Sequence, residues 1–424
     1  MKVENLSSRD KKYLWHPLTQ HKLGKPQLPI TKAKGALLFD DEGNEYIDGI
    51  ASWYTVMYGH ANDEIISAMT RQMQKLDFVM FSGLTHEPAI ELSEKLMAIL
   101  PDNQAKLFFN DNGSTAIEAA IKMSLQYFHN NGEKRDTLIA FEDGFHGDTF
   151  GAMSASGLSS YNGPFEDFLL KVVRIPVPQE DTIEEVKTTL SKILDENDCA
   201  AFVFEPLVQG AAGMKFHSAE GLDALISLCQ EQEVLCIADE IMTGFGKTGK
   251  NFASDYLSNK PDIICLSKAL TAGMFPLSIT SCSQKIYDRF LSDEVHKGFF
   301  HAHTFSAHPL GCAAALAGIE LLNSPEIIDR RTYIENAHNL YADKIQNHER
   351  VKEVRVMGAI LAIDLEIKME RYGSLRDELY NFFLERGVLL RPLGNTIYTL
   401  PPYVITDIQL QKIYDSITEA LNTF

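Results

Sequence analysis

The chain has 424 residues, 45% hydrophobic and 23% charged, an ordinary composition for a globular protein of about two or three structural units. A formal net charge of −19 argues against a basic groove for nucleic acid. No apolar run approaches the ~18 residues that span a membrane, and MKVENLSSRDKK lacks the apolar core of a signal peptide. The expected location is therefore the cytoplasm. Cys199, Cys229, Cys236, Cys265, Cys282 and Cys312 form no C-x-x-C pair and are expected as reduced core thiols.

In chain order, ALLFDDEGNEYIDG predicts a hairpin that turns at Glu42-Gly43-Asn44. NDEIISAMTRQMQKL predicts a helix with Asn62 as N-cap, and EPAIELSEKLMAIL a second with Pro88 in its first turn. From about Lys106, short apolar runs alternate with helical stretches. The runs are AKLFFN, TLIAFED, CAAFVFEP, VLCIADE and DIICLS, with a helix to His129 after the first. They are continuous rather than alternating, which suits strands buried on both faces of a parallel sheet with crossover helices. PLGCAAALAGIELLN then predicts a long helix. Beyond it, VRVMGAILAIDLE, GVLLRPLG and NTIYTLPP mix with helices as a small α+β domain. The fold class is thus α/β. Residues 1–60 are expected to join the small domain, 61–310 to form the large domain, and 311–424 the C-terminal small domain.

Three apolar runs end in charge: Glu205, Asp239 with Glu240, and Lys268. Ligands of open α/β sheets bind beyond the carboxyl ends of the strands. Two readings fit. Asp239 and Lys268 could form a buried ion pair. Alternatively, Lys268 is a desolvated amine of lowered pKa, suited to covalent chemistry with a carbonyl. An aspartate that keeps a pyridine nitrogen protonated would then make the ring an electron sink, which fits pyridoxal phosphate (PLP). NDNGSTAIEAAIKM sets Gly113 and Ser114 where a strand turns into a helix, either an ordinary capped start or a phosphate cradle. EDGFHGDTFGAMS places Phe145 and His146 in a glycine-bounded loop, where Phe145 could stack on a flat cofactor or belong to the core.

Other motifs carry less. GFGKTG, Gly244 to Gly249, has Ile241 where a phosphate loop needs glycine. His301, His303 and His308 cluster with no carboxylate or cysteine close by in sequence, so no metal is expected.

CIADEIMTGFGKTG, LSKALTAG, FEPLVQGAAGM and HAHTFSAHPLGCAAA resemble the class III aminotransferases of the PLP-dependent fold type I. The likeness spans nearly the whole chain. It implies PLP joined covalently to Lys268, Asp239 at the pyridine nitrogen, Phe145 on the ring, and Gly113 with Ser114 at the phosphate. His303 and Thr304 match the segment that reaches the neighbouring subunit's phosphate, so a homodimer with composite sites is implied.

WHPLTQ near Trp15, DGIASWY around Trp53, FSGLTHEPAIEL, DGFHGDTFGAMS and RPLGNTIYTLPPY are similar to one branch of that class. The branch aminates 7-keto-8-aminopelargonate in biotin biosynthesis, usually with S-adenosylmethionine as donor. The resemblance implies substrate contacts from Trp53, Phe145, Lys268, Ala302 and Arg391, with weaker ones from Leu18 and Tyr398. Trp53 would line the tunnel for the pelargonate chain. Other members tend to carry an arginine at the position of Tyr398; here Arg391 would hold the carboxylate. The alternative is another class III enzyme acting on a diamine or ω-amino acid. Leu18 and Phe145 stand where the branch usually has tyrosines, and Met242 where it tends to have a small residue. The two lost hydroxyls lie near the expected donor site and leave the donor's identity open.

Overall fold

Gly43 takes φ +87 at the tip of the expected hairpin, a conformation that suits glycine. The Asp40 carboxylate locks that turn by accepting from the Glu42 and Asn44 N–H groups and the Tyr46 hydroxyl. Three antiparallel strands result: β1 (Ile30–Lys34), β2 (Leu37–Asp40) and β3 (Glu45–Asp48), with Leu37 opposite Ile47. The structure is a computed structural model that describes residues 5–159, 162–367 and 373–424. The two expected helices follow. Asn62 caps Asp63–Lys75 by accepting from the Glu64 and Ile65 N–H groups, and Pro88 lies in the first turn of Glu87–Met97.

The apolar runs of the middle of the chain build one seven-stranded sheet. Its strands are β4 (Gln104–Asn110), β5 (Thr137–Phe141), β6 (Val172–Ile175), β7 (Cys199–Phe204), β8 (Leu235–Asp239), β9 (Ile263–Leu266) and β10 (Ser278–Ser283). They lie in the order β4-β10-β9-β8-β7-β5-β6. Every residue of β5, β7, β8 and β9 is buried, as continuous apolar runs demand of strands covered on both faces. Only β10 runs antiparallel to its neighbours. Its sequence, SITSCS, hides a buried strand behind hydroxyls. Thr280 Oγ1 donates to the Ala116 carbonyl at 2.8 Å and Ser281 Oγ to Gln104 Oε1 at 2.6 Å, so the polar groups are satisfied inside.

In the C-terminal region β11 (Val351–Met357), β12 (Ile360–Leu365) and β14 (Thr396–Thr399) form an antiparallel sheet, after the helix Pro309–Leu322. The run GVLLRPLG behaves differently. Only β13 (Val388–Leu389) is strand, and it pairs in parallel with β3, Leu389 opposite Asp48. That pairing places Arg391 beside the segment that follows β3. All six cysteines are buried and free. Among the described residues no helix is long and apolar enough to cross a membrane.

Candidate active site

Because β7, β8 and β9 are parallel, Glu205, Asp239 and Lys268 emerge at one edge of the sheet. The two carboxylates after β8 part company. Glu240 turns away and accepts from the Thr243 hydroxyl and the Ala253 and Ser254 N–H groups, anchoring the loop beyond it. Asp239 faces the site. Its Oδ2 lies 2.8 Å from His146 Nδ1, and its Oδ1 accepts from the Ile241 N–H at 3.1 Å.

The structure therefore does not contain a buried Asp239–Lys268 ion pair. Lys268 Nζ makes no ion pair among the described residues and sits 5.3 Å over the ring of Tyr54. Burial lowers the Lys268 pKa, against the opposing charges of Asp239 and Glu205, which raises the fraction of neutral, nucleophilic amine. Lys268 also has φ +49, a conformation L-residues rarely adopt, and such strain clusters at functional sites. Gly273 ends the run of small residues after it. A Cβ there would meet Val56 Cγ2 at 2.7 Å, so the glycine lets this loop lie directly on residues 55 and 56.

Glu205 ties two loops to the sheet edge. Its oxygens accept from the Phe145 and Gly210 N–H groups, each at 2.9 Å. Burial pushes its carboxyl up to about 7. Met242, the unusual residue, is buried over Gly210.

The start of the helix Gly113–Asn130 has the cap and polarity that suit an anion. Asn112 and Thr115 cap each other reciprocally, leaving the Gly113 and Ser114 N–H groups at the positive end of the helix. A Cβ on Gly113 would come within 3.1 Å of Ile241, and one on Gly147 within 2.1 Å of Ser114 Oγ. These two glycines bring the cradle, the His146 loop and the Asp239 loop into contact.

The reading from sequence missed Gln209. It is fully buried, and both atoms of its amide lack a hydrogen-bond partner, as does His146 Nε2. A Cβ on Gly144 would lie 3.1 Å from His146 Nε2 and 3.7 Å from Gln209 Nε2, so these orphaned groups share one small space. Buried polar groups are ordinarily paired, so this cluster calls for a partner from outside the chain. Gln209 stands inside FEPLVQGAAGM, and an amide directly before Gly210 gave no separate signal.

On the other side of Lys268, residues 51–54 form a left-handed turn, φ +44 to +68. Each left-handed L-residue costs about 1–2 kcal/mol. The turn presents Tyr54, whose hydroxyl donates to that of Tyr398 at 2.9 Å, and half-exposed Trp53. The Arg391 guanidinium lies 5.0 Å over the Trp53 ring and forms no ion pair among the described residues.

Gly113, Ser114, Phe145, Asp239, Lys268, Trp53, Arg391 and Tyr398 are thus gathered around one edge. Leu18, Ala302 and Thr304 are exposed, and no hydrogen bond or ring contact joins them to that group. His303 contacts His301 at 3.2 Å and lies 3.7 Å from Asp111 Oδ2, just before the cradle. Among the described residues no cluster of three or more metal-type ligands occurs. Lys247 of GFGKTG is fully buried, its Nζ donating to the Gly244 carbonyl at 2.7 Å.

Residues 19–421 match the family described as Aminotransferase class-III. The chain belongs to the class III aminotransferases. It is accordingly a PLP-dependent aminotransferase of fold type I. A curated relative from Synechococcus elongatus, an adenosylmethionine-8-amino-7-oxononanoate aminotransferase, is 42% identical over 97% of this chain and 98% of its own. The enzyme of that name from Helicobacter pylori is 34% identical over 99% and 98%. The crystal structure of the one from Methanocaldococcus jannaschii superposes with a TM-score of 0.93 at 33% identity, covering 99% of this chain and 98% of that one. An omega transaminase from Pseudomonas jessenii reaches 0.90 at 26% identity, covering 99% and 98%.

The residues present fit PLP. The Gly113 and Ser114 N–H groups would take the phosphate, Asp239 the ring nitrogen, and Lys268 the carbonyl carbon. Gln209 and His146 offer the unpaired polar atoms that the ring's own substituents would satisfy. Phe145, anchored through its N–H to Glu205, offers the ring face.

Proposed function

We propose that this aminotransferase converts 7-keto-8-aminopelargonate to 7,8-diaminopelargonate in biotin biosynthesis, with S-adenosylmethionine as amino donor. The observation that carries the reading is Arg391. An unpaired guanidinium stacked on Trp53, on the Tyr54 side of Lys268, suits bidentate capture of a carboxylate at the end of an apolar chain. The names and full-length similarity of the relatives support the same substrate.

Bound PLP supplies an electron sink for the pair left when a proton leaves the amine-bearing carbon. The chain supplies the rest. Lys268, a buried amine of lowered pKa, would hold the cofactor at Nζ and would take up and return that proton. Asp239, held by His146 and the Ile241 N–H, would fix charge at the ring nitrogen. Glu205 sets the loop that carries Phe145. Trp53 and Arg391 orient the ketone. Donor product leaves before the ketone enters, a ping-pong order.

The active unit is proposed as a cytoplasmic homodimer of chains organised as 1–60, 61–310 and 311–424. Exposed apolar side chains support the dimer: Met80, Leu84, Phe300 and Phe305 lie in two segments joined by the Phe78–Phe305 ring contact, beside His303 and Thr304. These two residues would serve the partner's phosphate. The deciding assay offers 7-keto-8-aminopelargonate with S-adenosylmethionine, lysine, or a diamine as donor. Formation of 7,8-diaminopelargonate supports the reading; no amination of that ketone by any donor overturns it in favour of another ω-amine substrate.

A further inference from the structure

We propose that Asp48 is a positioning residue for the substrate side of the site, acting through the left-handed turn 51–54. Four consecutive L-residues, Ala51, Ser52, Trp53 and Tyr54, have positive φ. Their own preference is for the right-handed region, so the turn is imposed by its surroundings. The fully buried Asp48 carboxylate sits at its base. Its Oδ2 accepts from Ser52 Oγ at 2.7 Å and lies 2.8 Å from His60 Nε2, while Oδ1 faces the Ile50 N–H at 3.4 Å. His60 is itself fixed, its backbone N–H donating to the Gly35 carbonyl at 2.8 Å. One carboxylate thus joins the end of β3, the turn and the chain beyond it.

Two side chains leave the turn toward the chemistry. Tyr54 lies under Lys268 Nζ, and Trp53 carries the Arg391 guanidinium. Arg391 is placed from the same base: Leu389 pairs opposite Asp48, and the Gly49 N–H donates to the Leu389 carbonyl at 3.1 Å. Tyr398 is too, because Thr399 Oγ1 donates to the Gly49 carbonyl at 2.7 Å. Asp48 therefore sets the distance between the group that grips the far end of the ketone and the lysine that acts on the near end. A turn released from Asp48 would swing Trp53 off Arg391 without touching the phosphate cradle or the Asp239–His146 pair. The inference rests on Arg391 as the carboxylate-binding group.

The test uses a Trp15→Phe background, which leaves Trp53 as the sole tryptophan of the two in the chain. Acrylamide quenching then reports the setting of Trp53 directly, and steady-state kinetics with 7-keto-8-aminopelargonate report the consequence. Asp48→Ala should at least double the quenching constant and raise KM for the ketone about tenfold or more. kcat should change less than threefold, with the absorbance of lysine-bound cofactor intact. Asp48→Asn keeps an acceptor oxygen and should restore KM to within about threefold of the parent. Unchanged quenching and KM in Asp48→Ala would overturn the proposal. So would an equal loss of kcat and cofactor absorbance, which marks a general scaffold role. Should Asp48→Ala not fold, Ser52→Ala removes one arm of the clamp and must shift quenching and KM in the same direction; no shift overturns the proposal. A parent enzyme inactive on this ketone would refute the substrate reading, and Trp53 quenching would still decide the role of Asp48.

Discussion

His146 Nδ1 lies 2.8 Å from Asp239 Oδ2, with both side chains shut away from solvent. The pair fixes the carboxylate proposed to meet the cofactor's ring nitrogen. A hydrogen bond to a charged group contributes about 1.5–3 kcal/mol. His146→Ala should therefore slow the first half-reaction roughly ten- to a hundred-fold. Stopped-flow absorbance of the lysine-bound cofactor on mixing with donor measures this. An unchanged rate would mean that the Ile241 N–H alone orients Asp239.

Glu205 gives a pH signature. Burial is the largest influence on it; His146 and the Phe145 and Gly210 N–H groups oppose, and Asp239 adds to the rise to about 7. The folded value lies above the ordinary 4.5, so folding takes up a proton between the two. The stability this group contributes is fully present below pH 4.5 and lost as pH rises through 7. Urea unfolding should show the advantage of wild type over Glu205→Gln shrinking by roughly 3 kcal/mol across that window, then staying level. An advantage that grows with pH would contradict the assignment.

The sheet was legible because both-face burial writes continuous apolar runs, as in TLIAF and CAAFVF. SITSCS was not, since its hydroxyls are satisfied by the Ala116 carbonyl and Gln104 only once the chain has folded. Similarly, only two residues of GVLLRPLG are strand, and their partner, β3, is set by long-range register that the run itself does not announce. Lys268 and Asp239 stood out as charges ending apolar runs. Gln209 did not, because an orphaned amide is a property of the folded interior. The left-handed turn at DGIASWY was equally hidden, having no glycine within 51–54 to announce positive φ.

Arg391 should govern the ketone alone. Removing one partner of a desolvated charge pair costs about 2–5 kcal/mol. Arg391→Ala should lower kcat/KM for 7-keto-8-aminopelargonate by roughly thirty-fold or more, with the cofactor absorbance unaltered. An unchanged kcat/KM would place the carboxylate elsewhere.

The resemblance sets Leu18 and Phe145 where two tyrosine hydroxyls would lie near the proposed donor site. Each is worth about 0.5–1.5 kcal/mol as a hydrogen bond, so losing both should weaken donor binding roughly tenfold or more. S-adenosylmethionine is expected to work with a high KM, and Phe145→Tyr to lower it. Single-turnover conversion with each donor separates the cases. Reaction with lysine and not S-adenosylmethionine would overturn the donor assignment and leave the fold and the lysine chemistry standing.

Lys268 is proposed as the covalent anchor, and Lys247, fully buried and with a pKa lowered by burial and by the charge of Lys268, is the rival amine. Borohydride reduction of the PLP-loaded protein, followed by peptide mass mapping, tests it most directly. The reduced cofactor should appear on the peptide carrying Lys268, with Lys268→Ala losing both that mass and turnover. Label on Lys247, or full turnover by Lys268→Ala, would contradict it.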